Sequence, residues 1–155
     1  MSSMTDPHLP EISWFGALCD DDYEFLGQPD PTLASSWEHC SKIVQTADRN
    51  GFDNVLLPSG YALGIDSTAF AAGIATHTEQ INLLLAVRMG EMWLPQLARQ
   101  LATIDQMAGG RLDINIISSD IPGEALDSAP RYQRTREWMQ VLRQLLNGES
   151  IDFHG

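Results

Sequence analysis

Apolar residues along this chain follow two alternating patterns. Short, largely apolar runs fall at residues 12–18, 55–57, 82–87 and 112–117, the last broken by Asp113 and Asn115. Between them lie longer stretches, at 33–50, 67–76, 93–108 and 131–146, in which apolar residues recur every three or four positions. The first pattern predicts strands buried on both faces, and the second predicts helices with one apolar stripe. In the first helix the stripe is Leu33, Trp37, Cys40, Val44 and Ala47, with Gly51 placed to end it. The second is short and rich in alanine. The third carries Leu94, Leu97, Leu101, Ile104 and Ala108 before Gly109 and Gly110, and the fourth turns Thr135, Met139, Leu142 and Leu146 inward before Asn147 and Gly148.

Strand and helix in strict alternation, four times over, build a parallel sheet covered by helices. Four parallel strands cannot close on themselves, whereas eight with matched tilt and stagger can. The expected fold class is therefore α/β, four βα units forming the N-terminal half of an eight-stranded barrel. Residues 1–11 are expected to be an irregular lead-in, and residues 12–155 a partial barrel domain cut short after its fourth unit. The strands at 12–18 and 112–117 would then be apolar edges, which natural proteins pair or cover. Pairing with a second copy, giving a homo-oligomer, or with further sequence is expected.

Composition narrows the partners. The formal net charge is −12, and the nine Lys and Arg residues are scattered, so nucleic acid and anionic membrane surfaces are disfavoured. The longest apolar run, at 81–87, is broken by Asn82 and is too short to span a bilayer. The first ten residues lack the basic start and apolar stretch of a secretory signal. Two cysteines, Cys19 and Cys40, make no disulfide framework, and a cytoplasmic setting is expected.

Barrels place their chemistry where strands end. Four such places stand out. Trp14-Phe15-Gly16 runs into Cys19-Asp20-Asp21-Asp22, whose carboxylates could hold a hard cation; a solvated acidic loop explains them as well, and no metal is expected. After the second strand comes Pro58-Ser59-Gly60-Tyr61, either a plain turn or a serine hydroxyl for a flat ligand with Gly60 allowing close backbone approach. Arg88 closes the apolar third strand and either meets a carboxylate or faces an anionic ligand. After the fourth strand, Ser118, Ser119 and Asp120 precede Arg131 and Tyr132 at a helix start, a combination suited to a phosphate, though turn and surface roles would also explain them. His8, His39, His77 and His154 share no metal-ligand spacing. No nucleophile elbow, P-loop, zinc-peptidase or dinucleotide-binding motif occurs.

The succession Ala47-Asp48-Arg49-Asn50-Gly51-Phe52-Asp53-Asn54-Val55-Leu56-Leu57-Pro58-Ser59-Gly60 resembles the bacterial luciferase-like, FMN-dependent monooxygenases, nearest the alkanesulfonate monooxygenase branch. In the family's order follow Leu84-Leu85-Ala86-Val87-Arg88-Met89-Gly90, Ala98-Arg99-Gln100-Leu101-Ala102-Thr103-Ile104-Asp105, Gly109-Gly110-Arg111 and Arg131-Tyr132. The resemblance implies a TIM (β/α)8 barrel, of which this is the N-terminal half. It implies reduced FMN supplied by a flavin reductase, O2 as co-substrate and a small organic substrate, with carbon–sulfur cleavage in the sulfonate branch. Carried over by position, Ser59 lies near the flavin ring, and Ser118 and Ser119 border the ring or ribityl chain. Arg131 and Tyr132 then lie near the phosphate, Arg88 lines the cavity, and Trp14 and Phe15 form the substrate pocket. The chain departs from the sulfonate branch at Leu63, where a cysteine is common, and it lacks the family's second half, so little turnover is expected of it alone. The alternatives are a non-catalytic flavin-binding half-barrel that self-associates, and a deazaflavin-dependent oxidoreductase.

Overall fold

The computed structural model describes residues 10–20, 28, 30, 32, 35–61 and 64–154. Four strands form one parallel sheet in the order β1 (Ser13–Phe15), β2 (Asn54–Leu57), β3 (Asn82–Arg88), β4 (Leu112–Ile117). The helices are α1 (Trp37–Arg49), α2 (Ser67–Ile74) with a 3-10 turn at Ala75–His77, α3 (Leu94–Ala108) and α4 (Ser128–Leu146). Neighbouring strands in sequence are neighbours in space, as in the predicted run of four βα units. Among the described residues, no helix is long and apolar enough to cross a membrane.

Side chains alternate across the sheet, and the register sorts them into two faces. Val55 and Leu57 of β2 and Leu83, Leu85 and Val87 of β3 lie on the helix side, in one buried cluster with Val44, Phe70, Ile74, Leu97, Leu101 and Ile104. The opposite face carries Phe15, Leu56, Leu84 and Ala86 together with Asn54, Asn82, Asp113 and Asn115. This second face is what a closed barrel would turn toward its axis.

Local sequence explains most boundaries. Ser36 caps α1 by accepting from the His39 N–H at 3.1 Å, so the helix starts at Trp37 and not at residue 33. Its end is a Schellman motif: Gly51, at φ +75°, donates to the Asp48 carbonyl, and Phe52 donates to that of Ala47. Two further expectations differ from the structure. The first strand is only three residues long, and Trp14 and Phe15 are half exposed; among the described strands none pairs with its outer edge. In α4, Thr135, Val141 and Leu142 are buried and Trp138 and Leu145 pack on the core, whereas Met139 and Leu146 are exposed. The helix starts three residues earlier than expected, at Ser128, and its contacts are made with α3 rather than along the spacing read from Met139.

Beneath the sheet, at the N-terminal ends of the strands, two polar side chains hold the connections. Asp48 accepts the backbone N–H groups of Glu79, Gln80 and Ile81 at 2.8–2.9 Å, just before β3. Burial pushes its carboxyl up, but those three donors and nearby Arg111 together outweigh it and hold it below the ordinary carboxylate value. Arg111 in turn donates to the carbonyls of Ala75, Thr78 and Ile81 at 2.6–3.3 Å, satisfying the end of the 3-10 turn.

Candidate functional site

β2, β3 and β4 end side by side, and their ends deliver Ser59, Arg88 and Ser119 to one place. Arg88 is 8% exposed although it carries a full charge. Its Nε donates to Ser119 Oγ at 2.6 Å, its Nη1 to Ser59 Oγ at 3.1 Å and to Glu91 Oε1 at 3.2 Å, and its Nη2 to the Ser59 carbonyl at 3.0 Å. Four of the five guanidinium N–H groups are thereby used. The guanidinium carbon Cζ lies over the Tyr61 ring, 4.1 Å from its centroid, a cation–π contact. Of the two readings left open by the sequence, the geometry shows the first. Arg88 does meet a carboxylate, from Glu91 one turn on, and it also organises two serine hydroxyls.

That organisation has a chemical consequence. Ser59 Oγ and Ser119 Oγ both accept from Arg88, and among the described residues neither hydroxyl proton has an acceptor. Both serines can therefore donate to a ligand that offers acceptor atoms. The close approach allowed by Gly60 is taken up within the protein: a Cβ there would stand 3.0 Å from Cys19 Sγ.

A second group lies toward α4. Arg131 Nη1 donates to Asp120 Oδ1 at 2.6 Å, a bond that, together with the charge of Asp120, raises the guanidinium further above its ordinary value. Among the described residues, buried Arg131 Nε has no acceptor, and the N-cap of α4, Asp127, makes no side-chain capping bond. Tyr132 is exposed, with its ring 5.8 Å from the Arg131 guanidinium. Tyr61 joins the two groups, donating its hydroxyl to the Asp120 carbonyl at 2.6 Å.

The remaining candidates separate across the sheet. Phe15 shares the open face with Leu56 and Leu84, in line with the cluster. Trp14 projects to the opposite side, packs edge-on against Phe52 at 5.3 Å, and lines an outer groove of about 440 Å³ with His39, Ile43 and Thr46 of α1. Ser118 likewise faces α4, with its Oγ 2.9 Å from Thr135 Oγ1. Thr135 also lies 3.1 Å from the Arg131 carbonyl, and its single proton can serve only one of the two. Asp21, Asp22 and Leu63 lie outside the described residues. Sequence reasoning passed over Glu91 and gave Tyr61 no role. The three-residue spacing from Arg88 to Glu91 was a usable signal; nothing local marks Tyr61.

Comparison with known proteins identifies the family and the fold. The family described as Luciferase-like monooxygenase matches residues 24–155. Sulfoquinovose monooxygenase of Novosphingobium aromaticivorans is 61% identical over 152 residues, covering 94% of this chain and 42% of that protein. Sulfoquinovose monooxygenase of Agrobacterium fabrum is 52% identical over 150 residues, covering 97% and 39%. The chain thus spans about two fifths of the length of these curated relatives. Among solved structures, the oxygenating constituent of 3,6-diketocamphane monooxygenase from Pseudomonas putida, in complex with FMN, superposes with a TM-score of 0.74 at 15% identity, covering 94% of this chain and 41% of that one. EDTA monooxygenase from Chelativorans sp. BNC1 gives 0.70 at 20% identity, covering 87% and 38%. Likenesses at such identities speak to the fold: these four βα units are part of a TIM barrel.

Proposed function

Because the chain belongs to the luciferase-like monooxygenase family, we propose that it forms the flavin-binding wall of an FMN-dependent monooxygenase acting on a sulfonated sugar of the sulfoquinovose kind. The observation that carries this reading is the Arg88 cluster at the C-terminal rim of three adjacent strands, the end at which barrel enzymes keep their chemistry. The names of the relatives at 61% and 52% identity supply the substrate class. Leu63, standing where the alkanesulfonate branch commonly has cysteine, is consistent with a substrate other than a plain alkanesulfonate.

The residues fit the cofactor. The ring system of FMN is rich in acceptors, and Ser59 and Ser119 have protons to give it. The buried, unpartnered Arg131 Nε and the uncapped start of α4 suit its phosphate. Ser59, Arg88 and Ser119 would hold the ring side, with Ser118 behind them against α4. Arg131 and Tyr132 would hold the phosphate side, and Phe15 with Leu56 and Leu84 would give the lumen an apolar wall. When bound, reduced FMN supplies the two electrons with which O2 oxygenates the sulfonate-bearing carbon, giving an aldehyde, sulfite and water. This wall's part is to bind and orient. Exclusion of water requires the lumen to be closed on the β1 and β4 sides, so turnover belongs to the closed barrel. A flavin reductase supplies the reduced cofactor, in the cytoplasm.

The test delivers reduced FMN from a flavin reductase to the protein with either sulfoquinovose or a linear alkanesulfonate, and quantifies sulfite. Release from sulfoquinovose supports the reading, and release from the alkanesulfonate alone refutes the substrate class. Failure to quench FMN fluorescence on titration refutes the flavin site. Exposure of Ile12, Trp14 and Phe15 along β1 favours a second reading, a non-catalytic flavin-binding half-barrel that self-associates. A flavin-loaded dimer releasing no sulfite would select it.

A further inference from the structure

Tyr61 makes two contacts that no other described residue combines. Its ring lies against the Arg88 guanidinium at 4.1 Å, and its hydroxyl donates to the Asp120 carbonyl at 2.6 Å. The first contact is with the end of β3, and the second is with the loop after β4, although Tyr61 itself follows β2. Tyr61 is about half exposed (49%), so it stands at the mouth of the cluster rather than in the core. From these observations we infer that Tyr61 is a positioning residue: it locks Arg88 in place and latches the β2 and β4 loops together, so that Ser59 and Ser119 present their hydroxyl protons to the ligand. This inference rests on the proposed flavin site for its ligand, and on the loop geometry alone for the latch.

The physical argument concerns the freedom of Arg88. An arginine at a strand end loses several rotatable bonds when it is held in one place. Hydrogen bonds fix the guanidinium in its own plane, through Ser119 at one edge and Ser59 and Glu91 at the other. They restrain movement out of that plane poorly, and the Tyr61 ring, over which Cζ sits at 4.1 Å, supplies a further restraint. If the plane tips, the bonds to Ser59 Oγ and Ser119 Oγ lengthen together. The serines are then free to turn their protons elsewhere, and the donor pair is lost. The latch to Asp120 adds a second effect. The same residue uses its carboxylate to hold Arg131, so a displaced β4 loop moves the phosphate side along with the ring side.

The experiment compares Tyr61→Phe, which keeps the ring and loses the latch, with Tyr61→Leu, which loses both. FMN affinity is read by fluorescence quenching, alone and in a Ser119→Ala background. Tyr61→Leu is expected to weaken FMN by about tenfold, from loss of one cation–π contact and one hydrogen bond. Tyr61→Phe should fall between it and the unchanged protein. In the Ser119→Ala background the effect of Tyr61→Leu should shrink to about threefold or less, because residues acting through one network are not additive. A residue that only supports the fold would give the same factor in both backgrounds, and that result overturns the positioning role. Hydrogen exchange over residues 117–124 reads the latch without any flavin. Faster exchange in Tyr61→Phe supports it even if the unchanged protein binds no FMN, an outcome that would refute the flavin site and leave the latch standing. Unaltered exchange together with unaltered FMN affinity in both variants overturns the inference.

Discussion

Asp48→Asn is the substitution whose effect is best determined by the structure. The two side chains have the same shape, but the carboxylate has two acceptor oxygens and the amide has one. Oδ1 accepts from Gln80 and Ile81, and Oδ2 from Glu79. An asparagine that keeps its oxygen at the first position must point its amide N–H group at the Glu79 N–H. One charge-assisted bond is lost outright, at about 1.5–3 kcal/mol, and the other two fall to neutral strength. The attraction to Arg111 also goes, while relief of a buried charge returns part of the loss. A net destabilisation of about 2–3 kcal/mol results, a large share of the roughly 5–15 kcal/mol typical of a folded domain. Urea unfolding followed by far-UV circular dichroism should show a lower midpoint with an unchanged slope. The sign with pH is fixed as well. The folded-state pKa of Asp48 lies below its ordinary 3.8, so the contribution is complete above that value and is lost as pH falls through the lower, folded one. The gap between wild type and variant should therefore close in acid. A difference under about 0.5 kcal/mol at neutral pH, the range of ordinary surface substitutions, would refute the argument, as would a gap that persists undiminished below the folded pKa. The connection to function is mechanical: this clamp holds the start of β3, and Arg88 is carried at its other end.

Two further outcomes bear on the site. Arg131→Ala should weaken FMN by about tenfold or more, the scale of one charge-assisted contact to phosphate, and leave riboflavin affinity unchanged; equal losses for both ligands would remove Arg131 from the phosphate side. Gly90 sits at φ +110°, with Ile121 Cδ1 occupying the space a side chain would take. Gly90→Ala should lower stability by about 1–3 kcal/mol in thermal unfolding, and should also weaken FMN, because the same turn brings Glu91 back to Arg88. Unimpaired stability would mean that the turn relaxes at no cost.

The candidate site was legible where chemistry is tied to a strand end. Ser59, Arg88 and Ser119 follow apolar runs, and any parallel sheet brings neighbouring strand ends together. The alternation of facing was harder to assign for β1, because Trp14 and Phe15 are adjacent, both large and both apolar. Only the pairing of Trp14 with Val55 and Phe15 with Leu56 assigns one to the α1 groove and the other to the open face. The same parity sends Ser118 to α4 and Ser119 to Arg88. Tyr61 was illegible for a different reason: its two contacts are with Arg88 and Asp120, 27 and 59 residues away, and local pattern carries no record of such distances.

By itself the sequence determined the alternation of strand and helix, the parallel sheet, and most helix ends. It also determined the three residues at strand ends that carry the cluster, Ser59, Arg88 and Ser119, and the motifs that resemble one family of flavin enzymes. These follow from local causes: side-chain periodicity, capping groups and the conformations glycine allows. Tertiary structure alone decided which face of β1 each aromatic residue takes, which residues of α4 are buried, and how Arg88 divides its N–H groups among two serines and Glu91. Those outcomes depend on which elements pack together and at what register, and a register is a property of two strands at once.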